Sequence, residues 1–194
     1  MRTVMLCAAL ALAAVAEAKD FVNEGFEGVF PPRDWTTKYE GEGNARWEKV
    51  APGPWGSYAL GFVSSSEKGL AQATLMSYEF DLKPNTRVYY RFDYQRDDNG
   101  HGVADADFYI TIVEGSHGNL TYQKLPLAWE WEVWAGDVVC DRAIRVKGCW
   151  RVWTINWWRS HNAYLAVDRV IISDKKRFPA VAPASLGRVK GLFR

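Results

Sequence analysis

Histidine and cysteine are scarce in this chain of 194 residues, three of each, and only the first two dozen residues hold a long apolar run. His101, His117 and His161 lie far apart in segments that read as loops, so no histidine cluster of the zinc-site kind is spelled out. A Gly-x-Ser-x-Gly elbow is missing, and no glycine-rich phosphate loop follows a strand and opens a helix. Nucleophilic and nucleotide chemistry therefore find no support. Extended helical periodicity is also lacking. Beyond the N-terminus no segment is apolar for the roughly 20 residues that a helix needs to span a bilayer, so no membrane span is expected.

The N-terminal run itself reads as an export signal. Arg2 precedes an apolar stretch from Val4 to Val15, and Ala16-Glu17-Ala18 places small residues where signal peptidase cuts. Cleavage after Ala18 removes Cys7 and leaves Cys140 and Cys149, an even pair in an oxidising compartment. A disulfide between them is expected, stabilising by about 2–3 kcal/mol through the small loop it closes. Asn119-Leu120-Thr121 is a glycosylation sequon, relevant to an exported chain in a host that modifies it.

A net charge of +1 hides an asymmetry. Lys175, Lys176, Arg177, Arg188, Lys190 and Arg194 occupy a terminal stretch without acidic residues, and 17 basic and 22 acidic residues remain between 19 and 174. An acidic body argues against nucleic acid as a partner. The expected organisation is a signal peptide over 1–18, one domain over 19–174 and a basic, flexible tail over 175–194 that serves as a solvated end or an anchor to an anionic surface.

Period-two alternation dominates the body. In Arg87–Tyr94 the residues Val88, Tyr90, Phe92 and Tyr94 point one way, and Arg87, Tyr89, Arg91 and Asp93 point the other, so one face packs and one meets solvent or a partner. Residues 107–113 follow the same logic. Residues 163–172 are apolar on both faces, as in a central strand. Further strands are expected at 21–26, 58–63, 74–80, 121–127, 130–135, 143–146 and 152–158, separated by Pro, Gly, Asn and Asp turn signals. The fold class is all-β, a two-sheet antiparallel jelly-roll sandwich.

The start Asn23-Glu24-Gly25-Phe26-Glu27-Gly28-Val29-Phe30-Pro31-Pro32, followed by Trp35-Thr36, resembles the opening of the choice-of-anchor J and cleaved-adhesin domains, which are related in architecture to MAM domains. Trp47, then Leu75-Met76-Ser77 before Phe80-Asp81-Leu82, and finally Ala166-Val167-Asp168-Arg169-Val170-Ile171-Ile172 continue the likeness over residues 21–173. The resemblance implies an adhesive extracellular role. It also implies a structural calcium between Glu27 and Asp168, completed by backbone carbonyls and Glu24 or Asn44. Arg169 departs from the family, which has Asp or Asn there. The alternative is that Glu27 bonds backbone amides or an arginine while Asp168 caps its strand. The turn Asp97-Asp98-Asn99-Gly100, with Asp105 and Asp107 beyond, reads as a solvated connection without the ligand spacing of an EF-hand.

Tryptophan is the most abundant functional signal. Seven of the ten, Trp129, Trp131, Trp134, Trp150, Trp153, Trp157 and Trp158, fall within thirty residues. Trp129 and Trp131 are expected on one face, as are Trp153, Ile155 and Trp157, with Trp158 opposite beside Asn156. Some rings fill the core. Others stack on sugar CH faces, with Glu130, Glu132, Asn156, Arg159 and His161 as hydroxyl partners. Glu130 and Glu132 share a face, yet they make a poor glycosidase pair and are more simply the wet side of a strand. The expected function is therefore non-enzymatic: a secreted module that recognises a glycan or an extracellular protein surface. A structural component of an envelope, matrix or secreted complex is the alternative, and a polysaccharide hydrolase a weaker one.

Overall fold

The computed structural model describes residues 19–53, 55–65, 69–97, 103–114, 118–156 and 161–176. Residues 1–18, read above as a signal peptide, residues 177–194 of the expected tail, the expected turn at Asp98-Asn99-Gly100, Trp157, Trp158, Arg159 and the side chains of Asn156 and His161 lie outside the described residues.

Among the described residues twelve strands follow in order: β1 (Asp20–Glu24), β2 (Thr36–Gly41), β3 (Asn44–Gly53), β4 (Gly56–Ser65), β5 (Gly69–Met76), β6 (Phe80–Leu82), β7 (Thr86–Asp97), β8 (Val103–Ile112), β9 (Asn119–Lys124), β10 (Ala128–Cys140), β11 (Ile144–Asn156) and β12 (His161–Ser173). They form two antiparallel sheets. Sheet I runs β10-β7-β12-β4-β3 with β1 beside β12, and sheet II runs β2-β5-β11-β8-β9 with β6 beside β11. Among the described residues no helix is long and apolar enough to cross a membrane.

The doubly apolar segment at 163–172 does occupy the middle of its sheet. One edge of β12 follows β7, and the other is shared: β4 pairs with His161–Val167 and β1 with Val170–Ser173. Where the partner changes, the register against β7 slips between Asp168 and Ile171, a β-bulge. Arg169 sits in that bulge with φ 48°, in the left-handed region.

The core is aromatic and centres on Trp150, which is fully buried. Its ring stacks on Trp35 at 5.6 Å and meets Phe108 at 5.2 Å and Phe92 edge-on at 5.8 Å. Trp47 completes the packing against a strand that must be bare: a β-carbon on Gly61 would lie 2.7 Å from the Trp47 ring.

Several expected boundaries move. The stretches at 143–146 and 152–158 are parts of one strand, β11, and the stretch 74–80 divides at Ser77, with β6 starting at Phe80. β2 and β3 were not foreseen, because they are edge strands whose charged, exposed residues give little alternation.

Candidate functional site

The outer face of sheet I can be read row by row from the strand register. Phe62 of β4, Tyr164 of β12 and Asp97 of β7 form one row; Leu60, Ala166 and Gln95 form the next; then come Asp168 and Asp93, paired directly. Tyr58, Leu60, Phe62, Gln95, Tyr164 and Ala166 line a trough of about 210 Å³. All of these side chains except Ala166 are partly exposed, so rings and an amide face solvent together. Arg46 of β3 holds its guanidinium 4.7 Å from the centre of the Phe62 ring, at the side of this row. The Gln95 amide donates to the Trp129 carbonyl at 2.8 Å, which ties the trough to the start of β10.

That start is irregular. Four steps on β10, from Ala128 to Glu132, stand against two on β7, from Arg96 to Tyr94. The extra residues push Trp129 outward, 65% exposed, and carry Trp131 over the sheet. Trp131 meets Tyr58 edge-on at 5.2 Å and Trp55 at 5.6 Å, although β7 and β12 separate β10 from β4, a span of about 14 Å at the usual strand spacing. Of these three rings, that of Tyr58 lines the trough and forms part of its wall.

Beyond the wall lies a knot of charge. Asp93 and Asp168 point away from the core and are nonetheless buried, because Trp55, Trp131, Tyr58 and Arg169 crowd over their row. The Arg169 guanidinium pairs with Asp93 Oδ2 and lies 3.8 Å from the centre of the Trp55 ring; Arg91 reaches Asp93 Oδ1 at 3.4 Å. Asp168 Oδ1 accepts from the Arg169 backbone N–H at 2.7 Å. Burial, reinforced by the charges of Asp93 and Glu27, pushes the Asp168 carboxyl up to about 6 against the pull of Arg169. Glu27 Oε1 accepts from the Ser57 N–H at 2.9 Å, in a space that exists only because residue 56 is glycine: φ there is 126°, and a β-carbon would lie 2.0 Å from that oxygen.

Of the carboxylates expected to hold calcium, Glu27 and Asp168 lie near enough for the one to act on the charge of the other, but the donor set does not fit the ion. Glu24 spends Oε1 on the Phe26 N–H at 2.6 Å, Glu27 on Ser57 and Asp168 on Arg169, and a guanidinium already holds Asp93. Among the described residues no group of three or more His, Cys, Asp or Glu side chains is arranged to hold a metal. Calcium demands six to eight oxygens, and here a divalent ion would meet Arg169 in its own shell. The alternative weighed from the sequence, Glu27 on a backbone amide, is what the geometry displays.

The clustered tryptophans do not assemble into one platform. Trp129 and Trp131 belong to sheet I. Trp153 lies on the outer face of sheet II, where its indole N–H donates to Asp107 at 3.1 Å. Asp107 is itself buried under this network and accepts from Arg151 and from the Tyr122 hydroxyl at 2.7 Å. Trp150 is core, and Trp157, Trp158 and Arg159 lie outside the described residues. Glu132 accepts from the Tyr94 hydroxyl at 3.4 Å, while Glu130 is exposed. Asn119, the sequon asparagine, is exposed at the start of β9.

The expected disulfide is corrected by the topology: Cys140 and Cys149 are both buried and both free. Cys140 ends β10 on the core side of sheet I. Cys149 lies five steps into β11, roughly 16 Å from that strand's start at 3.3 Å per residue, on the outer face of sheet II. A sheet separates the thiols. The Cys140 thiol donates to the Arg142 carbonyl at 2.8 Å, and burial pushes the Cys149 thiol up to about 12.

Tyr58, Phe62, Tyr164, Gln95 and Trp55 were not singled out from the sequence. The available signal was the alternation within β4, where Tyr58-Ala59-Leu60-Gly61-Phe62 sets rings and Leu against small residues that the core takes.

No protein-family model matches the sequence, and no curated protein does. The fold recurs in solved structures. The enzymatically active domain of tailspike protein 4 from bacteriophage CBA120 matches with TM-score 0.51 and 14% identity, over 72% of this chain and 19% of that one. The glycoside hydrolase domain of Endo-D from Streptococcus pneumoniae R6 gives 0.51 and 15%, over 75% and 22%. A family 11 carbohydrate-binding module from Clostridium thermocellum, in complex with a β-1,3-1,4-mixed-linked tetrasaccharide, gives 0.47 and 13%, over 80% and 94%. The match spans only about a fifth of the first two chains, and at these identities the likeness is one of fold.

Proposed function

We propose that this chain is an exported, non-catalytic recognition module that binds a saccharide chain in the trough on the outer face of sheet I. One observation carries the reading: Tyr58, Phe62 and Tyr164 present partly exposed rings around a depression of about 210 Å³ that also contains the Gln95 amide. Rings offer stacking surfaces for the CH faces of a pyranose, and an amide donates and accepts at once, as a sugar hydroxyl requires. Trp129, exposed beside the trough, extends the apolar surface along it, and Arg46 and Glu48 provide a polar rim on the other side. The buried carboxylates of the same face are engaged with Arg169 and a backbone amide, so the groups that face a ligand bind without an acid–base pair. The resemblance to adhesin domains and an N-terminal segment that reads as an export signal support a location outside the cell for such a module.

A glycan array, followed by affinity measurement on the strongest hits, tests this reading. Tyr164→Ala and Phe62→Ala should each weaken binding at least tenfold while thermal unfolding stays cooperative, since stacked side chains of this kind are worth more than about 1.4 kcal/mol. Absence of any saccharide bound above background would overturn the proposal. So would parental affinity in both folded variants.

A further inference from the structure

The trough on sheet I has two unlike ends. Tyr58 and Phe62 mark them on β4, about 13 Å apart at 3.3 Å per residue. Past Tyr58 the face is barred. Trp131 leans in from β10 and Tyr58 from β4 until their rings meet edge-on at 5.2 Å above the central strands β7 and β12, and Trp55 backs Trp131 at 5.6 Å. Asp93 and Asp168, paired directly beneath, are 0% and 2% exposed although they point away from the core, so the rings close the surface along this row. The other end is low. Past Phe62 and Tyr164 the next row consists of Asn44 of β3, Ser64 of β4 and Asn162 of β12, short polar side chains of which both amides are exposed.

Three departures from regular strand geometry converge on the bar. The bulge of β10 between Ala128 and Glu132 aims Trp131 across the face. Arg169, at φ 48°, sets its guanidinium 3.8 Å from the centre of the Trp55 ring and is tied from below to Asp93. Gly56, at φ 126°, turns the chain between Trp55 and the start of β4. Arg169 is thus a strained residue that props a surface ring, and strain kept at a surface feature points to use of that feature.

We infer that the trough takes the terminal residue of a saccharide chain and not an internal segment. The end ring lies on Phe62 and Tyr164 with the bar ahead of it. The next residue leaves over Asn44, Ser64 and Asn162, whose amides and hydroxyl meet its hydroxyls. A volume of about 210 Å³ suits one ring, since sites that enclose a drug-sized ligand hold roughly 300–1,000 Å³. The inference rests on the saccharide reading of the trough and adds a direction and a stop to it.

The probe is the linear saccharide that gives the strongest signal on a glycan array, titrated by calorimetry into the full chain as a short oligosaccharide and as the long polymer of the same repeat. End recognition predicts one protein bound per saccharide chain in both cases, with equal affinity per mole of chain. Trp55→Ala combined with Trp131→Ala opens the bar, so the number bound per polymer chain should rise severalfold while the oligosaccharide still binds one to one. Asn162→Ala should weaken the oligosaccharide about fivefold, the size of one neutral hydrogen bond, and leave the constituent monosaccharide unaffected. Several parent molecules on one polymer chain, a folded double variant that still binds one per chain, or parental affinity in Asn162→Ala overturns the inference. Should the double variant not fold, the stoichiometry of the parent decides. The two readings fail separately: if Tyr164→Ala and Phe62→Ala abolish binding but the polymer carries many copies, end recognition alone falls, whereas an array on which nothing binds removes the trough reading as well.

Discussion

Arg169 reaches the carboxylate of Asp93 from a backbone conformation that long side chains avoid. Its φ of 48° lies in the left-handed region, which costs a non-glycine residue about 1–2 kcal/mol and is best tolerated by Asn and Asp. The bulge that imposes it arises where β12 exchanges β4 for β1 as its neighbour, and the guanidinium then falls between Asp93 and the Trp55 ring. Asp93 is wholly buried, so without this cation its charge would be poorly compensated.

Two consequences can be measured. Arg169→Ala keeps the backbone strain and loses the pair, and should lower stability by about 2–3 kcal/mol, discounted from the fully buried case because Arg169 is partly exposed. Arg169→Asn loses the pair but fits the left-handed bulge, and should fall between the parent and the alanine variant in urea denaturation. Because the guanidinium takes the place of an ion, the parent's melting midpoint should not change after chelation of calcium. A chelator-dependent fall of several degrees would show that the carboxylates accept a metal after all.

The two-sheet architecture and the central position of the segment 163–172 were legible in the sequence because alternation reports burial directly. The split face of β7 was legible too: Arg91 and Asp93 were placed opposite Phe92 and Tyr94, as found. What sequence could not provide was which tryptophans meet. Trp131 and Trp153 lie 22 positions apart and on different sheets, whereas Trp131 and Tyr58, 73 positions apart, touch across two intervening strands. The disulfide expectation failed for the same reason. Nine residues of separation suggested a hairpin closed by a bridge, but β11 carries Cys149 far past the turn and onto the opposite face of its sheet.

Asp168 makes stability depend on pH in an unusual sense for a carboxylate. Its folded value, about 6, lies above the ordinary range near 4, so the protonated form is favoured in the native state. The stabilisation from proton uptake is complete below about pH 4 and is lost as pH rises through 6. At pH 8 the charged group costs on the order of 3 kcal/mol relative to its neutral form, at about 1.36 kcal/mol per unit. Asp168→Asn keeps an oxygen for the Arg169 N–H and should therefore raise the melting midpoint at pH 8 while changing it little at pH 4. An equal shift at both pH values would show that the carboxyl does not titrate in this window.

The thiols give a chemical test of topology. Alkylation in denaturant without reductant, followed by mass spectrometry, should find Cys140 and Cys149 both modified. In the native protein both should react far more slowly than a free thiol, since each is buried and the Cys149 thiolate is disfavoured at neutral pH. A mass two hydrogen atoms lower, with neither residue alkylated, would mean a bridge and hence a different course for β10 or β11.

Trp150 and Trp129 should separate stability from recognition. Trp150 is fully buried and touches Trp35, Phe92 and Phe108, so its truncation to alanine removes a large ring from a dense core and should cost about 3–5 kcal/mol. Trp129 is 65% exposed on the bulge of β10, and its truncation leaves no cavity. Trp129→Ala should alter stability by less than about 0.5 kcal/mol, as surface substitutions do, while weakening saccharide binding at the trough. The two effects are read independently by calorimetric unfolding and by binding to the array hits. A Trp129→Ala variant that binds as the parent would confine recognition to the rings of β4 and β12, whereas one that unfolds like Trp150→Ala would place Trp129 in the packing rather than on the surface.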